Sequence, residues 1–224
     1  MSDPGQADNS RESWAWQQGQ AQPWEGVFMR VRHLFTAVMT VLAVSPAYAL
    51  GSHQIGVQAG LSVPTGDFSD AANAGYNVGA EYRYVLDRFG VGAEAKYNAW
   101  NGSNDLNAAA ESLYGSGSKY SFSAWQTDVF GIVSMPMAGV PKVLPYLRAG
   151  LGVYGPGTKL EIPGTSTTES NSEFGMLFGA GFDFSMSSSM KLGVGATYHR
   201  VKDSEADFFS TEVRMLFPIK AGHD

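Results

Sequence analysis

Between Ile55 and Phe217, apolar side chains recur at every second position in eight separate stretches. A period of two is the repeat of an extended strand with two unlike faces; a helix repeats at 3.6. In the first stretch Ile55, Val57, Ala59, Leu61 and Val63 share one parity, and Gly56, Gln58, Gly60 and Ser62 the other. The second sets Tyr76, Val78, Ala80, Tyr82, Tyr84 and Leu86 against Asn77, Gly79, Glu81 and Arg83. The third sets Phe89, Val91, Ala93, Ala95 and Tyr97 against Gly90, Gly92, Glu94, Lys96 and Asn98. The fourth, about Tyr120 to Met135, is the least regular, with Trp125, Thr127, Val129 and Val133 opposite Gln126 and Asp128. The remaining four put Leu147–Val153, Phe174–Phe184, Leu192–Tyr198 and Phe209–Phe217 on the apolar parity. Opposite them stand Tyr146, Arg148 and Gly150; Gly179, Gly181 and Asp183; Gly193, Gly195 and His199; and Ser210, Glu212 and Arg214.

The connections alternate in length. Asp87-Arg88, Pro136–Lys142 and Ser187-Ser188-Ser189 are short, whereas Pro64–Gly75, Asn101–Lys119 and Pro156–Glu173 are long; Lys202–Asp207 closes the series. An up-and-down meander whose two ends face different compartments gives this pattern, with short inner turns and longer outer loops. The expected fold is all-β: an eight-stranded antiparallel up-and-down transmembrane barrel.

Periodicity alone also permits a soluble, lipocalin-like barrel with its apolar face inside. Side-chain volume distinguishes the two, because an eight-stranded barrel has an interior just wide enough for side chains to fill. Of the 27 glycines, those within strands fall mainly on the polar parity, and the bulky Phe, Tyr, Leu, Ile and Val residues fall on the other. The polar, small parity therefore belongs in the lumen. It carries Glu81, Glu94, Asp128, Asp183 and Glu212 against Arg83, Lys96, Arg148 and Arg214. Buried charges persist only when paired, and this near-balanced set is expected to form structural ion pairs inside the barrel.

The chain opens differently. Residues 1–28 are polar and irregular, as in a start-site extension upstream of the true Met29. Arg30 and Arg32 then precede the apolar run Leu34–Val44, Pro46 breaks it, and Ala47-Tyr48-Ala49 follows. A basic region, a short apolar region and an A-x-A site make a secretory signal peptide. Eleven apolar residues are too few for a membrane-spanning helix, which needs about 20. Residues 29–49 are expected to be removed by cleavage after Ala49, with Ala47 and Ala49 as the recognition pair, leaving 50–224 as the barrel domain.

Gly60-Leu61-Ser62-Val63-Pro64-Thr65-Gly66-Asp67-Phe68-Ser69, Pro145-Tyr146-Leu147-Arg148-Ala149-Gly150-Leu151-Gly152-Val153-Tyr154 and Gly179-Ala180-Gly181-Phe182-Asp183-Phe184 stand in order along the chain. In these residues it resembles the small outer-membrane β-barrels of the OmpA/OmpX and opacity-protein group. The resemblance implies a Gram-negative-type cell outer membrane, a monomer surrounded by outer-membrane lipid, and insertion by the barrel-assembly machinery. It departs from the group at its end, where Pro218-Ile219-Lys220-Ala221-Gly222-His223-Asp224 follows Phe217 and Glu212 takes a position that often holds Gly.

The chemistry available is sparse. With no Cys and a formal charge of −6, disulfides, thiolate metal sites and a nucleic-acid footprint are excluded or disfavoured. No phosphate loop, dinucleotide fingerprint or metal-ligand spacing occurs. Some barrels of this kind modify lipid A, which would require a Ser nucleophile, a His base and an orienting carboxylate. His199 alone is a strand-borne candidate, near Asp203, Ser204 and Glu205, but His199-Arg200-Val201 replaces the family deacylase pattern His-x-Ser. The expectation is no enzyme, no cofactor, no metal and no catalytic residue. It is a plugged barrel with a structural or surface-interaction role, offering outer loops to a host or surface ligand. The alternatives are a small-solute, porin-like channel, a lipid A-modifying enzyme and a soluble barrel.

Overall fold

The computed structural model of the chain describes residues 51–140, 142–202 and 206–219. The expected extension, signal peptide and cleavage residues Ala47 and Ala49 lie outside the described residues, as do Asp203, Ser204 and Glu205.

Alternating sequence becomes strand throughout. The elements are β1 (Ser52–Pro64), α1 (Phe68–Ala71), β2 (Gly75–Leu86), β3 (Phe89–Asn101), α2 (Asn104–Tyr114), β4 (Lys119–Ser134), β5 (Val143–Ile162), β6 (Thr165–Ser170), β7 (Glu173–Ser185), β8 (Lys191–Val201) and β9 (Phe208–Ile219). All strand pairings are antiparallel. β1 pairs with β2 and β9, β4 pairs with both β3 and β5, and β7 joins β5 to β8. The ring closes with eight strands. β6 stands outside it, pairing only with the outer part of β5 from Gly157 to Ile162. Closure leaves the eight-strand ring without an edge, which a strand array in lipid requires; the free edge of β6 belongs to the outer hairpin.

The bulky parity faces outward. Val57, Leu61, Val78, Val91, Val129, Leu151, Phe178 and Val213 are all exposed. Tyr76, Tyr97, Trp125 and Phe209 lie toward the outer end of this band, and Phe89, Phe182 and Phe217 toward the inner end. Two aromatic girdles bounding an apolar belt are the exterior of a membrane barrel. This arrangement removes the soluble alternative, which needs the same side chains inside.

Glycine supplies the room on the other face. A Cβ on Gly181 or Gly195 would collide with the Tyr146 hydroxyl, one on Gly92 or Gly150 with the Phe130 side chain, and one on Gly152 with the Asp128 carboxylate. Large lumen side chains thus lie across glycines of neighbouring strands. Gly131, on the outward parity of β4, has no atom nearer than 4.0 Å. We expect Gly195→Val to cost about 1–3 kcal/mol through overpacking. Gly131→Val should be neutral or slightly stabilising, since a β-branched residue suits an open strand face. Urea unfolding of the two variants in one lipid would compare them.

The fourth strand reads irregularly because Phe130 and Ile132 are buried in the lumen, where a purely polar parity was expected. They occupy the space left by Gly90, Gly92 and Gly150 across the two adjacent ladders. Leu177 and Leu216 are likewise fully buried on the inner parity. The last strand runs to Ile219, two residues beyond the expected end at Phe217, because Pro218 and Ile219 stay in register with Gln54 and His53.

Three segments expected to be plain loops are structured. α2 follows Ser103, whose hydroxyl accepts from the Leu106 amide, and Gly115 ends it at φ 100°. α1 makes a single turn over the mouth. β5 and β6 form a hairpin about Pro163-Gly164, with Gly164 at φ 89°. At ~3.3 Å per residue and ~45° tilt, the 20 residues of β5 rise well past the ~25 Å apolar belt. The β5–β6 hairpin therefore projects beyond the outer girdle.

Candidate functional site

The interior is built from alternate residues of the eight ring strands, so each strand contributes a column of inward side chains. Near the inner end, Arg83 on β2 donates to Asp183 on β7 at 3.0 Å and to Glu81 at 3.1 Å. Tyr146 from β5 lies between two guanidinium groups, with Arg83 and Arg214 at 5.4 and 5.1 Å from its ring centre.

The middle layer centres on Arg148 of β5. Its Nη1 donates to Glu94 of β3 at 2.9 Å and its Nη2 to Glu212 of β9 at 2.6 Å. Thr197 of β8 accepts from Nε at 3.1 Å. Lys96 donates to the second oxygen of Glu212 at 2.9 Å and lies 3.4 Å from Glu94. Arg214 reaches Glu212 at 2.8 Å, and Gln58 donates to Glu94 at 3.0 Å. The side chains of Glu94, Lys96, Arg148 and Glu212 are fully buried. These bonds span the barrel from wall to wall; they are not confined to neighbouring strands.

The charge count is uneven at one residue. Glu81, Glu94, Asp183 and Glu212 all lie within an ion pair of Arg83, Lys96, Arg148 or Arg214. Asp128 does not. It faces Glu94 across the β3–β4 ladder and receives one bond, from Gln126 at 2.7 Å. Its other oxygen has no partner among the described residues. Parity alone placed these nine charged residues; their partners depend on register and on strands far apart in sequence.

Above this layer Asn98 links Ser62 to Gln126. His199 is fully buried, stacked on Phe208 at 4.5 Å, with Nδ1 3.0 Å from the Tyr154 hydroxyl and Nε2 2.9 Å from the Ser210 hydroxyl. Ser210 and Tyr154 are the partners that sequence reasoning missed, since it looked to the following loop. A Ser–His contact is present, but Tyr154 stands where a hydrolase would place a carboxylate, and both residues are closed to solvent. The bonds from Tyr154 and Ser210 fix the imidazole in the upper lumen. Among the described residues no cluster of His, Asp and Glu has metal-ligating geometry.

At the outer mouth the lining turns aromatic. Trp100, Phe208, Phe68, Phe122 and Tyr154 meet edge to face, and the Trp100 indole N–H donates to the Ser62 carbonyl at 3.1 Å.

An apolar, girdled exterior around a charged, hydrogen-bonded interior is the inverted layout of a membrane barrel, and the family model for the outer membrane protein beta-barrel domain matches residues 34–217. The chain belongs to this family. Its location is the outer membrane. Two solved barrels share its fold. Neisserial surface protein A aligns with a TM-score of 0.54 at 13% identity, covering 75% of this chain and 99% of that one. A major outer membrane protein of Thermus thermophilus aligns with a TM-score of 0.52 at 8% identity, covering 76% and 100%. No curated protein matches the chain in sequence. For this family member, then, the membrane belt, the charged interior and the aromatic mouth are the three parts from which a function has to be read.

Proposed function

We propose that the barrel is plugged and non-conducting, anchoring a surface-interaction or structural role carried by its outer segments. The supporting observation is the set of bonds crossing the axis: Arg148 joins β5 to β3 and β9, and Arg83 joins β2 to β7. An ion moving along the lumen would have to displace ion pairs that are closed to water. Eight strands enclose a space that side chains fill, so there is no reserve width around them. The outer segments offer contact surface. On α2, Leu113 is 75% exposed and Tyr114 48%, and the whole of β6 is exposed. Loops held on a rigid scaffold commonly carry binding. A host or surface ligand, an outer-membrane lipid shell, a monomeric state and passage through the barrel-assembly machinery all belong to this reading.

The test is planar-bilayer recording on the purified, folded chain. We expect no unitary current steps from the native protein. Reproducible ohmic steps that scale with salt concentration would replace the anchor by a channel.

A further inference from the structure

The β5–β6 hairpin ends in an unguarded sheet edge. β6 pairs with β5 residue for residue, from Ile162↔Thr165 to Gly157↔Ser170, without a bulge. β4 follows β5 outward as far as Lys119, opposite Glu161, and the Lys119 ammonium lies 3.2 Å from the Glu161 carboxylate. β6 is therefore the third strand of a sheet rooted in the barrel wall. Among the described residues nothing pairs with its other side, and all six of its residues are exposed. A bare edge presents a row of unmatched N–H and C=O groups, which proteins usually guard with Lys, Pro or a bulge. Thr165-Ser166-Thr167-Thr168-Glu169-Ser170 carries none of these guards.

Another extended strand is what satisfies such an edge along its length. The side chains favour a second copy of β6. Laid antiparallel on itself about a two-fold axis between Thr167 and Thr168, the strand sets Thr165 against Ser170, Ser166 against Glu169 and Thr167 against Thr168. Opposed hydroxyl residues make favourable cross-strand pairs, and the single charge never meets its like. The membrane fixes how the copies meet. Copies in one membrane share the direction of β6 along the membrane normal, so their β6 strands cannot run antiparallel; at ~45° tilt a two-fold along the normal would cross them at about 90°. Two barrels whose outer ends face each other have no such conflict. β6 takes the side of β5 that β7 takes lower down, so its free edge points toward β8. The next outer connection on that side spans only residues 202–207, whereas α2 lies on the far side, between β3 and β4.

We propose that β6 is a homophilic docking edge, pairing antiparallel with β6 of a second copy on an apposed outer surface. Six residues make a weak contact singly, and many such contacts between two surfaces add through avidity. The proposal rests on the surface-interaction reading and names its partner; its failure leaves that reading with α2 and the other outer segments.

The test is clustering of Gram-negative host cells with truncated surface polysaccharide, displaying the full chain and labelled in two colours. Native cells should cluster. Thr167→Lys/Thr168→Lys sets Lys opposite Lys twice in each contact, and Thr167→Glu/Thr168→Glu sets Glu opposite Glu. The clustered fraction of either population alone should fall at least about tenfold. Mixing the two should restore two-colour clusters. The chain has no Cys of its own, which allows a register test. Cells carrying Thr167→Cys, mixed with cells carrying Thr168→Cys, should yield a disulfide-linked dimer on mild oxidation, and either population alone should yield none. Retention of the heat-modifiable electrophoretic band confirms that each variant is folded. Native cells that stay dispersed would overturn the proposal and leave the edge to a strand of another protein. Lysine-substituted cells that cluster like native ones, a lysine–glutamate mixture that stays dispersed, or a dimer from Thr167→Cys alone would each overturn it as well.

Discussion

Arg148→Ala is expected to lower unfolding stability by about 3–5 kcal/mol, the range for breaking a buried ion pair by removing one partner. The guanidinium is fully buried and bonds Glu94, Glu212 and Thr197 on three other strands. Its loss leaves Glu81, Glu94, Asp128, Asp183 and Glu212 facing only Arg83, Lys96 and Arg214. Lys96 and Arg214 still reach Glu212, but Glu94 keeps only Lys96 at 3.4 Å and Gln58 at 3.0 Å. Asp128 then lies across the ladder from a carboxylate that has lost its best cation. The double variant Arg148→Met/Glu94→Gln removes one charge of each sign. It should cost less than the sum of its parts, with a coupling of about 0.5–3 kcal/mol. Urea titration in lipid vesicles, followed by the heat-modifiable band, measures both single variants and the double. An Arg148→Ala cost below about 1 kcal/mol, well short of a buried-pair penalty, would mean that water reaches these carboxylates. The plugged reading would fall with it.

The same residues show why some of this could be read from the sequence and some could not. Parity is local: neighbours along one strand reveal which face is greasy, so all nine lumen charges could be placed before any pairing was known. Partner identity is not local. Arg148 and Glu212 are separated by 64 residues and Arg83 and Asp183 by 100, and only the closed register brings them together. Phe130 obscured the fourth strand for the same reason, since the glycines that make room for it belong to β3 and β5. The mouth assembles residues from four strands and a short helix, so no window of sequence contains it. α2 is a different case. Its signals were local: Ser103 before the first turn, Ala108-Ala109-Ala110 within it and Gly115 after it. A cap, a run of good helix formers and a terminal glycine outline a helix. The β5–β6 hairpin announced itself similarly through Pro163-Gly164.

Val213→Arg is expected to cost about 2–4 kcal/mol in a bilayer, the penalty for a cation on the lipid face near the midplane. Val213 lies midway along β9, paired with Ala59 on β1 and Val194 on β8, and is 54% exposed. In water that exposure would make the change nearly silent, within about 0.5 kcal/mol. In lipid the same exposure is the source of the cost, because no carboxylate or water shares the outward face there. Depth supplies the internal control. Phe209 occupies the same strand and the same outward parity, four residues nearer the outer rim. Phe209→Arg should cost only about 0–1 kcal/mol in charge terms, since an interfacial cation stays hydrated. Part of any remaining loss there is the aromatic ring itself, which Phe209→Ala measures separately. Reversible urea unfolding of the three variants in the same vesicles gives the profile. A flat profile, with Val213→Arg no costlier than Phe209→Arg, would place the greasy face in water and undo the inside-out layout on which the ion-pair layers and the aromatic mouth both depend.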